Sequence, residues 1–195
     1  MIKKLKNQAG MSLMEVMVAL LIMVLLVVGM GTGMDAGMRV YADAHFESSS
    51  ASLAGTLNTA LTDVLRYANV VREPNEGETF PTGVTHVFSN YEYGLSDVYL
   101  AIPSTGARKG VLQVVNLSDN NGTPVVNPGL YPNLQIISFS ITYYPEGEPG
   151  TLTTLDAETT VNVSRGGFFY IKYKIASKDG TKTRDAETVV RIMNG

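Results

Sequence analysis

The sequence predicts an α+β fold in which a long N-terminal helix packs on an antiparallel β-meander. Three observations support this prediction. An uncharged, mostly aliphatic run covers residues 16–34, a stripe of leucines and alanines at helical spacing follows it, and alternating apolar residues fill much of the C-terminal half. The 19 glycines, with many threonines, asparagines and serines, are typical of a body with numerous turns. A length of 195 residues suits one such body plus an anchor.

The apolar run at residues 16–34 is long enough to cross a membrane. Its 19 residues contain no charged side chain, and as a helix they span about 28 Å at roughly 1.5 Å per residue. Lys3, Lys4 and Lys6 precede the run and Asp35 follows it. Because basic residues stay on the cytoplasmic side, the N-terminus is expected in the cytoplasm and the body outside the membrane.

Two simpler interpretations of the run are disfavoured. A buried core helix is seldom so long and apolar on every face. A cleavable secretory signal also has a basic start and an apolar core, but its small-residue cleavage site should follow that core closely. The first Ala-x-Ala sequence is Ala42-Asp43-Ala44, well beyond the run and after two charges. Retention in the membrane is therefore favoured.

A short motif spans the junction between the basic leader and the apolar run. Residues 10–20 read Gly-Met-Ser-Leu-Met-Glu-Val-Met-Val-Ala-Leu, and this segment resembles the processing motif of type IV prepilins and pseudopilins. A basic leader, a glycine, a correctly spaced glutamate and an immediate apolar helix coincide in it. One departure is Met11, because phenylalanine is the usual residue there. The resemblance covers about the first third of the chain and implies a pilin-like fold.

The resemblance implies a processing reaction and a role for three residues. In that family a membrane-embedded aspartyl peptidase cuts after the glycine and methylates the new N-terminal amine. Cleavage would then fall between Gly10 and Met11, and Met11 would carry the methyl group. Glu15 would be the fifth residue of the mature chain, where the family has its glutamate, and would dock one subunit on another.

The physical chemistry of Glu15 agrees with a docking role. An isolated carboxylate at the membrane edge is costly, and a paired cation lowers that cost. The free amine of Met11 on a neighbouring subunit can be this cation after cleavage. The alternative is that Glu15 reaches back to the headgroup layer, as interfacial charges often do. Judged on its own the carboxylate does not decide between the two, and the surrounding motif favours pairing.

Three glycines lie two residues apart near the outer end of the run. Gly29, Gly31 and Gly33 each weaken a helix by roughly 1 kcal/mol relative to alanine. Helices of pilins often stretch or melt locally inside the filament, so the resemblance suggests a flexible point here. The alternative is that these glycines are merely tolerated in a membrane helix.

The remaining chain divides into a second helical part and a β body. The predicted segments are a leader at 1–10, a transmembrane and assembly helix at 11–34, an amphipathic second half of that helix at 35–72, and the body at 73–195. The residue before Pro74 disfavours helix, which sets the helix end. The predicted strands are 84–89, 98–102, 111–117 and 134–144, with loops at 118–132 and 145–154, and a hairpin of 169–175 with 181–192 around a turn at 178–180.

Few residues in the body could carry chemistry. Cysteine is absent and His45 and His86 are the two histidines, so thiolate sites and most zinc sites are excluded. No catalytic motif is found, and we expect neither an enzyme nor a cofactor. Asp119 and Asn121 offer oxygen ligands in a loop, as in some calcium-binding pseudopilins. An ordinary turn is the favoured interpretation of such a sequence, since the EF-hand pattern is not met.

Charge narrows the expected partners. Residues 1–10 hold three lysines and no acid, which leaves 12 basic and 18 acidic side chains and a net charge of −6 for the rest. An acidic remainder does not favour nucleic acid. The expected partners are the prepilin peptidase and methyltransferase, other pilin subunits, the pilus assembly platform and the bacterial cytoplasmic membrane.

Three functions remain open from the sequence. The leading expectation is a structural subunit, namely a minor pilin of a type IV pilus-like filament that lies outside the cytoplasm or at the cell surface. A pseudopilin of a type II secretion or competence DNA-uptake machine shares the same architecture. A membrane-anchored surface binding protein that never polymerises belongs to a different class, and it would keep its leader.

Overall fold

The structure is a computed structural model that describes residues 12–75, 78, 80–81, 84–145, 161–162 and 167–193. The chain divides into two compact units, Met1–His45 and Phe46–Gly195. The predicted leader at 1–10, with Gly10, and the predicted methylation site at Met11 lie outside the described residues.

One helix, α1, runs from Leu13 to Arg66 over 54 residues. Its first part is the charge-free run, whose leucines, methionines and alanine form helix readily. The helix is long and apolar enough to cross a membrane. Its last turns bury Leu57, Leu61 and Leu65, which recur every four residues and so lie on one face.

Within the described residues, nine short to medium strands and two 3-10 turns follow the helix. The strands are β1 Val70–Arg72, β2 Val87–Asn90, β3 Leu95–Ala101, β4 Gln113–Asn116, β5 Gly122–Pro124, β6 Leu134–Pro145, β7 Val161–Asn162, β8 Gly167–Ser177 and β9 Thr183–Arg191, and the turns are Tyr91–Tyr93 and Pro128–Leu130.

The strands form two antiparallel sheets. A six-stranded sheet has the order β5-β4-β3-β2-β1-β7, and a three-stranded sheet has the order β6-β8-β9. All their recorded pairings are antiparallel. The predicted α+β fold, a long N-terminal helix packed on antiparallel strands, is confirmed. The strands do not form one continuous meander, however, because β7 joins the first sheet while its neighbours β6 and β8 form the second.

Both sheets contribute to one core beneath the second half of α1. Leu61 of the helix, Phe88 of β2 and Phe169 of β8 are almost completely buried in the same cluster. Alternate residues of β8, from Gly167 to Ile175, point into this core, as the period of two requires. A second, smaller cluster on the other side of β3 and β4 joins Tyr99 to Phe80, whose ring meets it edge-on at 5.2 Å.

The strand bounds differ from the predicted ones by a few residues, and two larger differences concern the end of the helix and the facing of Ile137. The helix ends at Arg66, before the predicted end at 72, because Val70–Arg72 pairs with β2 and β7 as a strand. The β-branched pair Val70 and Val71 suits a strand better than a helix. In β6, alternation predicts Ile137 on the buried side, but it is half exposed. A register shift between Ile136 and Ser138 turns it outward.

Three polar contacts, spaced along the body unit, join the second half of α1 to the β8–β9 region. At the start, Arg184 of β9 donates to the Glu47 carboxylate at 2.8 Å. In the middle, the buried Tyr173 hydroxyl lies 2.7 Å from Asn58 Oδ1, and burial raises the pKa of Tyr173 to about 12. At the end of α1, the Met193 N–H donates to the Arg66 carbonyl at 2.8 Å.

Candidate assembly site

The first turn of α1 holds the predicted docking residue. Ser12 immediately precedes the helix, and its hydroxyl accepts a hydrogen bond from the Glu15 N–H at 3.3 Å. Its carbonyl accepts from the Glu15 and Val16 N–H groups at 2.9 and 3.2 Å. Ser12 is therefore the N-cap of α1, and Glu15 is its acidic third residue.

This cap is a feature that the sequence interpretation missed, although the sequence carries a signal for it. Serine followed three residues later by glutamate, just before an apolar run, is the signature of a capping box. Glu15 also lies near the positive end of the helix dipole, where a carboxylate is stabilising. Its side chain is exposed, so it can meet a second molecule.

The predicted membrane run is exposed along its whole length in the single chain. Residues 16–34 are all exposed, including large aliphatic side chains such as Leu21, Leu25 and Val27. The helix window that qualifies as a membrane span has none of its residues buried. Such a surface is stable only in lipid or against other apolar helices.

The outer end of the run carries the three predicted flexible glycines. Gly29, Gly31 and Gly33 all lie within α1, and a Cβ added at any of them would meet open space. The hydroxyl of Thr32 donates to the carbonyls of Val28 and Gly29 at 3.2 and 3.0 Å. A helix-weakening role for these glycines stays a prediction.

Asp119 and Asn121, the calcium candidates, lie in the turn between β4 and β5. The Asp119 carboxylate accepts the Asn121 N–H at 3.0 Å, and the Asn121 carbonyl accepts the Asn116 N–H at 3.2 Å. Asn120 between them adopts a positive φ of 53°, which asparagine tolerates in turns. Among the described residues, no group of three histidine, cysteine or acidic side chains could hold a metal ion.

His86 lies just before β2, where the connector from β1 meets the second sheet. The Thr85 hydroxyl donates to the Ile141 carbonyl at 3.0 Å, so its oxygen is left to accept from His86 Nδ1, 2.9 Å away. Burial lowers the pKa of His86 to about 4. The neutral imidazole is therefore the form that fits the fold.

We expect acid to destabilise the body through His86. An unfolded histidine binds a proton near pH 6.5, whereas the folded one does so near pH 4, so stability is complete above pH 6.5 and falls as the pH drops toward 4. The free energy of unfolding should fall by about 2 kcal/mol between pH 7.5 and pH 4.5. Denaturant unfolding of the full chain in detergent at pH 7.5 and 4.5 measures it. The loss should shrink in His86→Gln and persist in His45→Gln, and an equal loss in both variants would contradict this role.

Comparison with known proteins identifies the N-terminal segment. Residues 5–31 match the family described as the prokaryotic N-terminal methylation motif. No curated protein and no solved structure matches the chain. The matched residues include Gly10, Met11 and Glu15 and extend over most of the exposed apolar run.

The chain thus carries the type IV prepilin-type signature, which supports a type IV pilin-like or pseudopilin-like protein. The signature implies processing by prepilin peptidase and assembly with other pilin subunits. Together with α1, it indicates anchoring in a membrane.

Proposed function

We propose that this chain is a minor subunit of a type IV pilus-like filament, processed by prepilin peptidase and assembled through α1. The observation that carries the proposal is the methylation motif at residues 5–31, coincident with an exposed apolar helix that begins two residues before Glu15. A large aliphatic surface with a single acid at its edge suits a helix that is stored in lipid and later packed against the helices of other pilin subunits.

Cleavage after Gly10 creates the partner that Glu15 needs. It would release a positively charged amine on Met11, four residues before the carboxylate. A carboxylate taken out of water is stabilised by a cation at close range, and the pair sets the axial register between neighbouring helices. Arg39, the first basic residue after the leader, lies 2.8 Å from Asp35 in an ion pair within its own helix. Arg39 therefore already has a carboxylate partner, and the proposed cation for Glu15 is the Met11 amine of a neighbouring subunit.

The Ser12 cap separates two roles that Glu15 could play. As part of a capping box, Glu15 needs only a side chain that accepts a hydrogen bond, which glutamine also provides. As a docking group it needs its negative charge. Glu15→Gln therefore keeps the helix start and removes the docking charge, which makes it the informative variant.

The size of the body favours a minor subunit over a major one. The body runs over residues 73–195 with several long connections between its strands, and it is somewhat larger than that of many major pilins. A pseudopilin of a secretion or DNA-uptake machine would use the same processing and helix packing. A binding protein that stays anchored and never polymerises would not depend on the charge of Glu15.

Fractionation tests the proposal. Surface filaments are sheared from cells and collected, and the chain is quantified by immunoblot in filaments and membranes against a mutant without prepilin peptidase. We expect the processed chain in the sheared filaments, where it should make up only a small share of all pilin subunits. Abundance close to that of the main subunit would make it a major pilin. Complete retention in membranes with an intact leader would contradict assembly.

A further inference from the structure

The turn between β4 and β5 contains an asparagine that is directly followed by a glycine. Asn121 is exposed, and Gly122 begins β5, a strand of three residues at the edge of the six-stranded sheet. The side-chain amide of an asparagine can be attacked by the backbone nitrogen of the next residue, and a side chain on that residue hinders the attack. Glycine has no Cβ and the widest range of backbone angles. Position 122 therefore offers the least hindered nitrogen for this reaction.

The N–H group of Gly122 points away from β4, the strand with which β5 pairs. The Asn116 N–H donates to the Asn121 carbonyl at 3.2 Å, and the Val125 N–H donates to the Leu112 carbonyl at 2.9 Å. Residues 121 and 125 thus turn their peptide groups toward β4. Because the direction alternates along a strand, the peptide groups of Gly122 face the open edge of the sheet. Attack by the Gly122 nitrogen therefore breaks no hydrogen bond between β4 and β5.

Several other asparagines of the body are followed by a backbone nitrogen that the fold already uses. After Asn116, the Leu117 N–H donates to the Asp97 carbonyl at 2.9 Å. Asn127 is followed by a proline, which has no N–H. The N–H groups that follow Asn90, Asn120 and Asn133 donate to Asn69 Oδ1, Asp119 Oδ1 and the Tyr131 carbonyl, respectively. Compared with these asparagines, Asn121 combines an exposed side chain with an unhindered nitrogen outside the ladder.

Packing against β4 requires a glycine at position 122. A Cβ added there would collide with Oε1 of Gln113, whose side chain lies in β4 and is buried. The Gly122 carbonyl also accepts a hydrogen bond from the Arg108 guanidinium. A glycine inside a strand often marks such a close approach. The packing of the hairpin thus keeps next to Asn121 the residue that leaves its amide most open to attack.

We propose that Asn121 is a site of spontaneous deamidation in the folded chain. The Gly122 nitrogen loses its proton to a base and bonds to Cγ of Asn121, which closes a five-membered succinimide ring. The bond from Cγ to Nδ2 breaks, and Nδ2 leaves with a proton as ammonia. Water then opens the ring at either carbonyl. The products are aspartate and isoaspartate, in which the main chain runs through Cγ, and each adds one negative charge to the turn.

Deamidation changes the charge and the hydrogen bonding of this hairpin. The new carboxylate lies two residues after Asp119, whose own carboxylate accepts the Asn121 N–H. In isoaspartate, the carbonyl that accepts the Asn116 N–H becomes part of a free carboxylate, and the main chain gains a methylene group. The register of β5 on β4 is then lost at this end. Since β5 is a short edge strand, it should open locally while the rest of the body stays folded.

Peptide mapping by mass spectrometry tests the site. The purified full chain is incubated in detergent at pH 7.5 and 37 °C, and samples are digested over several weeks. We expect a gain of about 1 Da at Asn121, about tenfold faster than at Asn116 or Asn120, with isoaspartate among the products. The reaction should slow at pH 5.5, because the nitrogen must first lose its proton. Asn194, which also precedes a glycine and lies outside the described residues, falls in a separate tryptic peptide.

Two glutamine variants provide matched controls within the turn. Asn121→Gln should remove the signal, because glutamine would have to close a less favourable six-membered ring, whereas Asn120→Gln should leave it unchanged. An Asn121 that stays intact in the folded chain but reacts after unfolding in urea would show that the fold protects it, and would overturn the proposal. Equal rates at Asn121 and Asn116 in the folded chain would overturn it as well. None of these results depends on whether the chain enters a filament.

Discussion

Replacing Glu15 by alanine should leave leader cleavage intact and nearly abolish assembly. Removing one partner of a desolvated ion pair costs about 3–5 kcal/mol, so the chain recovered in sheared filaments should fall about 100-fold or more. Glu15→Gln should be nearly as defective, because it retains the hydrogen-bonding part of the Ser12 cap but not the charge. Immunoblots of the filament and membrane fractions measure the effect.

Ser12→Ala is the matched control for the Glu15 variants. It removes the hydroxyl that accepts the Glu15 N–H but keeps the carboxylate, and the loss of a cap costs only about 1 kcal/mol. We expect a reduction in filament yield of about fivefold. If Glu15→Gln assembles normally while Ser12→Ala fails, helix capping and not ion pairing explains the glutamate. Normal incorporation of Glu15→Ala would remove the docking role altogether.

Asn90→Ala should be among the most destabilising single changes in the body. It would leave the Val64 carbonyl without its donor and two turn N–H groups without their acceptor. The carbonyl lies in the last turn of α1, where no helical N–H can reach it. Because unsatisfied buried groups cost about 1–3 kcal/mol each, the expected loss is about 3 kcal/mol in the free energy of unfolding.

Asn127→Ala is the corresponding control. Asn127 also caps a 3-10 turn, by accepting the Gly129 N–H at 2.9 Å, but that contact is exposed. Its loss should cost about 1 kcal/mol or less. Urea unfolding in detergent, followed by the near-ultraviolet circular dichroism of the tyrosines, measures both variants. Equal losses would show that the buried position of Asn90 does not matter.

The anchor and its acid could be predicted from the sequence because they depend on local composition. A charge-free run from 16 to 34 determines a helix that needs a non-aqueous partner, and no tertiary contact is required to recognise it. The Ser12 cap also depends only on residues that are close in sequence, because the three-residue spacing of Ser12 and Glu15 predicts a capping box. The longer strands β6, β8 and β9 were found for the same reason, since alternation persists over many residues.

The rest of the fold depends on contacts that are distant in sequence. β1, β5 and β7 have two or three residues each, which is too few for a period of two to be visible. The predicted loop at 118–132 contains β5 for that reason. Ile137 faces outward because of a bulge that the alternating pattern does not encode. In the sequence, Asn90 looks like an ordinary turn asparagine. Its expected contribution to stability arises because the Val64 carbonyl lies beside it in the folded body.

The central claim is that the chain is cut before Met11 and enters a filament through the new N-terminus. Mass spectrometry of the N-terminal peptide from sheared filaments and from membranes tests it most directly. The account predicts a filament peptide that begins at Met11 and carries a methyl group on its amine. A peptide that still contains Lys3, Lys4 and Lys6 in both fractions would contradict it.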